Sequence, residues 1–209
     1  MKTIIVGHGP SILTKALGKQ IDEFDKVIRL KRCWETLRYP KIYGSRTDIV
    51  CGSWTIGPQL KGVESPEYWV FLDSRHKDIS QEQIADMQLL FKPSLCLIDR
   101  RLCDYWNKVY FDNREDWPVE QMTERKQTSD AKGHWHMSAG LHAIMYACEY
   151  LKPDEIVLAG FDNLMAGKQE TWSITRGPDW KSYPDHNWGS EQKVLGLMAE
   201  HYNQKVVCL

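Results

Sequence analysis

The sequence predicts an α/β fold: a single Rossmann-like domain with a mainly parallel, twisted sheet of about seven strands and helices on both faces. Three observations predict it. Short, β-branched apolar runs alternate with helical patterns along the chain. The runs Ile156-Val157-Leu158-Ala159 and Val206-Val207-Cys208 are continuously apolar, as strands covered on both faces must be. The first run, Thr3-Ile4-Ile5-Val6, stops at Gly7-His8-Gly9-Pro10-Ser11 and a helical pattern follows. That order, strand then glycine turn then helix start, is how α/β proteins bring backbone N–H groups close to a phosphate.

The individual elements follow from the same periodicities. Strands are predicted near Thr3–Val6, Lys26–Leu30, Asp48–Cys51, Tyr68–Leu72, Leu95–Ile98, Glu155–Ala159 and Lys205–Cys208. Helical patterns cover Ile12–Ile21, Ser80–Leu90, Arg101–Phe111, Met137–Leu151 and Ser190–Tyr202. Two polar stretches, 112–132 and 163–187, lack periodicity. The second follows a strand end, where open α/β sheets bind their ligands, and long loops in compact domains are often lids. The expected organisation is therefore one domain over 1–209 with a lid loop at 163–187.

Composition narrows the partners. The 209 residues carry a net charge of −1, so no basic field points to nucleic acid or an anionic membrane. No apolar run reaches the roughly 20 residues that span a bilayer, and no signal-peptide pattern opens the chain. A cytoplasmic protein is the expectation. The six cysteines include no Cys-x-x-Cys pair, and Cys51, Cys96 and Cys208 fall in apolar runs, which supports neither a zinc site nor a disulfide framework. Nine tryptophans are many for this length. Trp172, Trp180 and Trp188 lie in polar surroundings, where aromatic side chains often serve recognition.

Three segments can carry chemistry. The turn Gly7-His8-Gly9-Pro10-Ser11 reads as a phosphate turn or as a tight βα turn with nothing bound. In Ser138-Ala139-Gly140-Leu141, Ser138 can cap a helix whose N-terminus favours an anion; a plain serine cap is the simpler reading. In His186-Asn187-Trp188-Gly189-Ser190-Glu191, a histidine precedes the last helix, suited to accept a proton near neutral pH, with Glu191 in the first turn to orient it or to serve the dipole. His134-x-His136 lacks further ligands at metal spacing, and the chain has no Asp-x-Asp. No metal is expected.

Together these segments resemble the sialyltransferase family (glycosyltransferase family 29), with the soluble bacterial or phage type as the expected form. The large sialyl motif is matched by Ile4-Ile5-Val6-Gly7-His8-Gly9-Pro10-Ser11, Ile21-Asp22, Asp25-Lys26-Val27-Ile28-Arg29-Leu30-Lys31 and Gly44-Ser45-Arg46-Thr47. The small motif resembles Ser138–Leu141 through Asp154–Asp162, and the very small motif matches His186 to Glu191. The resemblance implies a GT-A-like sialyltransferase variant of the fold. It also implies metal-independent, inverting transfer of sialic acid, or a related acid such as Kdo, from a CMP-sugar co-substrate to a glycan or other hydroxyl. No further cofactor is implied.

By that resemblance His186 is the general base, with Glu191 beside it. Gly7, His8, Gly9, Pro10, Ser11, Arg29, Lys31, Ser138, Ala139, Gly140, Gly160, Phe161 and Asp162 hold the nucleotide. The N–H groups of the glycine turn and of the helix start at Ser138 stabilise the leaving phosphate. His134, His136 or Tyr183 substitutes for the phosphate contact of a His-Tyr-rich motif that the chain lacks, and Trp172 and Trp180 stack on the acceptor. The chain departs from the family at two donor contacts, where His8 and Lys31 replace asparagine, and it lacks the cysteine pair and the stem of secretory-pathway members. Two rivals stand beside this reading. One is a non-catalytic nucleotide-binding protein of the same fold; the other is an NADP-dependent oxidoreductase, disfavoured by the missing third glycine after Gly9. The sequence defines no oligomeric state.

Overall fold

The structure, a computed structural model, describes residues 1–53, 67–71, 80, 82, 85–86, 89, 95–113, 137–166 and 188–209. Seven strands form one sheet: β1 (Lys2–Val6), β2 (Lys26–Leu30), β3 (Ile49–Ser53), β4 (Glu67–Phe71), β5 (Leu95–Leu97), β6 (Glu155–Ala159) and β7 (Lys205–Cys208). Their order is β5-β4-β3-β2-β1-β6-β7 and every pairing is parallel. The chain lays down β1 to β5 in one direction and then returns to the other side of β1. The switch point of the sheet therefore lies between the carboxyl ends of β1 and β6, where α/β folds of this kind bind ligands.

Side chains alternate across the sheet and build a core on each face. Ile5, Ile28, Leu30, Ile49, Cys51, Ile156 and Leu158 share one core with helices α4 (Arg100–Asp112), α5 (Ala139–Tyr146) and α7 (Trp188–His201). Ile4, Val6, Val27, Val157 and Ala159 share the other with Ile12, with Ile21 of α1 (Gly18–Asp22) and with Tyr43 of α3 (Pro40–Tyr43). Two further short helices, α2 (Cys33–Thr36) and α6 (Asp162–Ala166), follow β2 and β6. Helices on both faces match the expected architecture. No described helix is long and apolar enough to cross a membrane.

Several predicted elements are redrawn. The single helix expected over Ile12–Ile21 is a 3-10 turn, Pro10–Thr14, and the short α1, separated at Ala16, which holds φ at 45°. A Cβ on Gly18 would sit 2.0 Å from the carbonyl oxygen of Pro40, so α1 packs against α3 backbone to backbone. The pattern Met137–Leu151 is a helix that ends in a π-turn, Ala147–Leu151, with Lys152 left-handed behind it. Of the stretch 163–187, where a lid loop was expected, 163–166 belong to α6; the rest lies outside the described residues. Of the helix expected at Ser80–Leu90, Glu82, Ala85, Asp86 and Leu89 are helical and Ser80 is not.

Candidate functional site

At the carboxyl edge of the sheet the turn at Gly7 and the helix start at Gly140 meet at Phe161. An added Cβ on Gly7 would lie 3.1 Å from the Phe161 ring, and one on Gly140 would lie 2.7 Å from it. The ring is thus wedged between the turn after β1 and the first turn of α5. The ring leaves no room for a Cβ at Gly140 and crowds one at Gly7. Sequence reasoning placed Phe161 among the nucleotide contacts and missed this wedge, although glycines at both positions were the available signal.

The glycine turn is packed protein against protein. Gly7 N–H donates to the carbonyl of Ala159 and Gly9 N–H to that of Gly160, both at 2.8 Å, extending the β1–β6 ladder. A Cβ on Gly9 would fall 1.7 Å from Asp162 Oδ2, and one on Gly7 would fall 2.4 Å from the oxygen of Gly160. Gly160 itself holds φ at 70°. Asp162 then accepts from both the N–H and the hydroxyl of Ser11, each at 3.1 Å. The N–H groups of Gly7, Gly9 and Ser11 thus have partners within the protein. Close approach does demand the glycines, but the approaching group is the segment Gly160–Asp162.

His8 points the other way. Its neighbours Gly7 and Gly9 bond toward β6, while His8 Nε2 lies 2.7 Å from the carbonyl of Lys31 at the end of β2. A carbonyl can only accept, so Nε2 carries the hydrogen. Nδ1 is buried and has no hydrogen-bond partner among the described residues. Desolvation pushes the pKa of this imidazole down to about 4, so the ring is neutral near pH 7. Directly after Lys31, Arg32 adopts φ 69° and is held by its bonds to Glu35.

Ser138 caps α5, as expected, by accepting from Leu141 N–H at 3.3 Å. The carboxylate of Glu191, fully buried, accepts from Ser138 N–H at 3.0 Å and from its hydroxyl at 2.6 Å. The structure therefore sets Glu191 against the start of α5. The pairing gives Glu191 a partner that sequence reasoning did not foresee.

Arg29 is also relocated. It is 1% exposed, on the α3 side of β2. Its Nε donates to Thr47 Oγ1 at 2.9 Å and to the carbonyl of Arg46 at 3.0 Å, and its Nη2 to the carbonyls of Tyr43 and Arg46, both at 2.8 Å. It ties the Gly44-Ser45-Arg46-Thr47 segment to the sheet instead of facing the crevice. The same segment is held from α1: Asp22 accepts from the N–H groups of Ser45 and Arg46. Desolvation pushes the Asp22 pKa up, but these bonds prevail and hold it below the usual carboxylate range.

His134, His136, Trp172, Trp180, Tyr183 and His186 lie outside the described residues. Among the described residues no group of three or more His, Cys, Asp or Glu side chains could hold a metal ion.

The structure is a parallel α/β domain with the glycine turn after β1 at the switch point of its sheet, and solved structures narrow the fold. The chain aligns with a mammalian sialyltransferase at a TM-score of 0.56 and 12% identity, over 98% of this chain and 68% of the other. It aligns with the sialyltransferase CST-II, solved in complex with a trisaccharide acceptor and CMP, at a TM-score of 0.58 and 15% identity, over 100% of this chain and 81% of the other. The fold is that of the sialyltransferases. No family model and no curated protein sequence matches the chain.

Proposed function

We propose that the chain is an inverting glycosyltransferase that moves sialic acid, or a related acid such as Kdo, from a CMP-sugar to a hydroxyl of a glycan or other acceptor. One observation carries the reading. The segments that resemble the large and small sialyl motifs meet at Phe161, at the ligand edge of a fold shared with a protein solved with CMP and an acceptor. Likeness of fold alone would not suffice, because one fold serves many chemistries.

In this reading the whole chain is one catalytic domain, and the residues after Ala166 up to His186 form the lid. His186 takes the acceptor hydroxyl proton as the oxygen forms its bond to the anomeric carbon. The bond from that carbon to the phosphate oxygen breaks, and CMP leaves with the electron pair. Such a base contributes about 10²–10⁴-fold. Glu191 acts by fixing the first turn of α7 to Ser138. The leaving phosphate is received by His134, His136 or Tyr183, since the glycine turn is engaged internally. Trp172 and Trp180 stack on the acceptor. The missing Asp-x-Asp supports a mechanism without a metal on a diphosphate.

Calorimetric titration with CMP, against UMP, GMP, UDP and NADPH in EDTA, tests the donor. Selective CMP binding is expected, and a preference for another nucleotide would remove the reading. Product analysis over CMP-sugars and acceptors then tests transfer. His186→Ala and His186→Gln are expected to abolish turnover while keeping CMP affinity; wild-type turnover in either would dismiss the base assignment.

A further inference from the structure

We propose that the corner between α2 and α3 docks the outer part of an acidic oligosaccharide acceptor, with Arg38 and Lys41 on its carboxylate or phosphate and Tyr39 against a sugar ring. The proposal rests on the transferase reading and adds the charge of the acceptor. Residues 31–46 hold five basic side chains and one acidic one, in a chain whose net charge is −1. Two of the five are engaged inside the protein. Arg32 is bound to Glu35, the one acid of the segment, at 2.6 Å. Arg46 is bound to Asp48 and to the carbonyl of Asp25. Arg38 and Lys41 are exposed and form no ion pair among the described residues.

The corner holds its shape without a ligand. Tyr39 N–H donates to the carbonyl of Thr36, and the Tyr39 carbonyl accepts from the N–H groups of Ile42 and Tyr43, each at 3.0 Å. Pro40 fixes the first turn of α3, and Tyr43 anchors that helix in the core. On this frame the Tyr39 side chain is 57% exposed, flanked in sequence by the two cations. A ligand therefore meets two positive charges and an aromatic face with no loop to order first.

The chemistry of the three side chains selects the partner. An arginine fork matches a carboxylate or a phosphate, and a lysine supplies a point charge. A tyrosine ring presents an apolar face with a polar rim. Arg38 follows Leu30, the last residue of β2, by eight residues, one helical turn among them, so it stands within about 30 Å of the ligand edge. A glycan of several sugars covers that span. An anionic membrane is the poorer match, because polybasic lipid sites take about four to eight lysines or arginines.

The test measures affinity of the full chain, saturated with CMP, for lactose, 3′-sialyllactose and lactose 6′-phosphate. At 50 mM NaCl at least one acidic sugar should bind about fivefold or more tighter than lactose, and 500 mM NaCl should erase the difference. The tighter of the two names the anionic group. Arg38→Gln combined with Lys41→Gln should remove the preference, and Tyr39→Ala should weaken neutral and acidic sugars alike. Both variants should keep the wild-type urea midpoint. CMP binding without any preference for the acidic sugars, or a preference that survives in the double variant, would overturn the proposal and leave the transferase reading standing. So would binding to phosphatidylserine vesicles, lost in the double variant, in a protein indifferent to the acidic sugars. Failure of the wild type to bind CMP would overturn the transferase reading, and the acceptor role of this corner with it.

Discussion

Glu191 reaches from the first turn of α7 to hold Ser138 through both its N–H and its hydroxyl, with the carboxylate fully buried. Without Glu191 the buried N–H of Ser138 loses its acceptor. Glu191→Ala should therefore cost about 2–4 kcal/mol, and Glu191→Gln, which keeps the shape and one acceptor, about 1–2 kcal/mol. Urea titration reads both as a shift in midpoint at constant slope. Equal stability of Glu191→Ala and the wild type would mean that the contact is dispensable.

Gly9 and Gly196 make a matched pair of tests. Gly9→Ala drives a methyl group into Asp162 and the Gly160 carbonyl and should lower stability by about 2–4 kcal/mol. Gly196, exposed on α7, has nothing within 4 Å of an added Cβ. Gly196→Ala should raise stability by about 1 kcal/mol through helix propensity alone. Thermal denaturation of the two variants distinguishes them by the sign of the change.

His8 gives the fold an acid-sensitive segment. Its folded pKa, about 4, lies below the ordinary 6.5. The unfolded chain therefore binds a proton that the folded chain refuses, and stability falls as pH drops from about 6.5 to about 4. The stabilised carboxylates, Asp22 among them, add their own losses only nearer the ordinary carboxylate range and below. Unfolding free energy measured in small steps from pH 7 to pH 4.5 should decline in the wild type and stay flatter in His8→Gln. Parallel curves would show that His8 is not the group responsible.

Arg29 should behave as a strut. Removing its guanidinium leaves the carbonyls of Tyr43 and Arg46 without this donor, so Arg29→Met is expected to cost about 2–4 kcal/mol. Arg29→Lys should not restore the loss, because an ammonium cannot reproduce the planar fork. Full recovery with lysine, measured by denaturant unfolding, would assign Arg29 a role as a simple charge.

The strands were legible because a parallel sheet covered on both faces writes itself as short apolar runs. Lys26–Leu30, Glu155–Ala159 and Lys205–Cys208 coincide with their predicted limits. The short helices α2 and α3 were not legible, since four residues carry no period, although Pro40 at the first position of α3 was a usable sign. The demand for glycine at Gly7 and Gly9 was visible too. What presses against those glycines was hidden, because Gly160 and Asp162 are distant in sequence and meet the turn only when β1 and β6 pair. The same distance hid the bond from Glu191 to Ser138. Local pattern reveals where backbone must come close, and only the assembled sheet reveals to what.

The central place of β1 has a consequence for biosynthesis. Lys2 pairs with Glu155 and Val6 with Ala159, so one edge of the earliest strand stays open until roughly 150 further residues have been translated, about 8–30 s at ordinary elongation rates. During that interval the nascent chain can assemble β1 with β2, but it presents Ile4 and Ile5 on a strand without its second neighbour. Pauses in translation before residue 160, or a shortage of the chaperones that shield such strands, should therefore reduce the yield of native protein more than pauses after it.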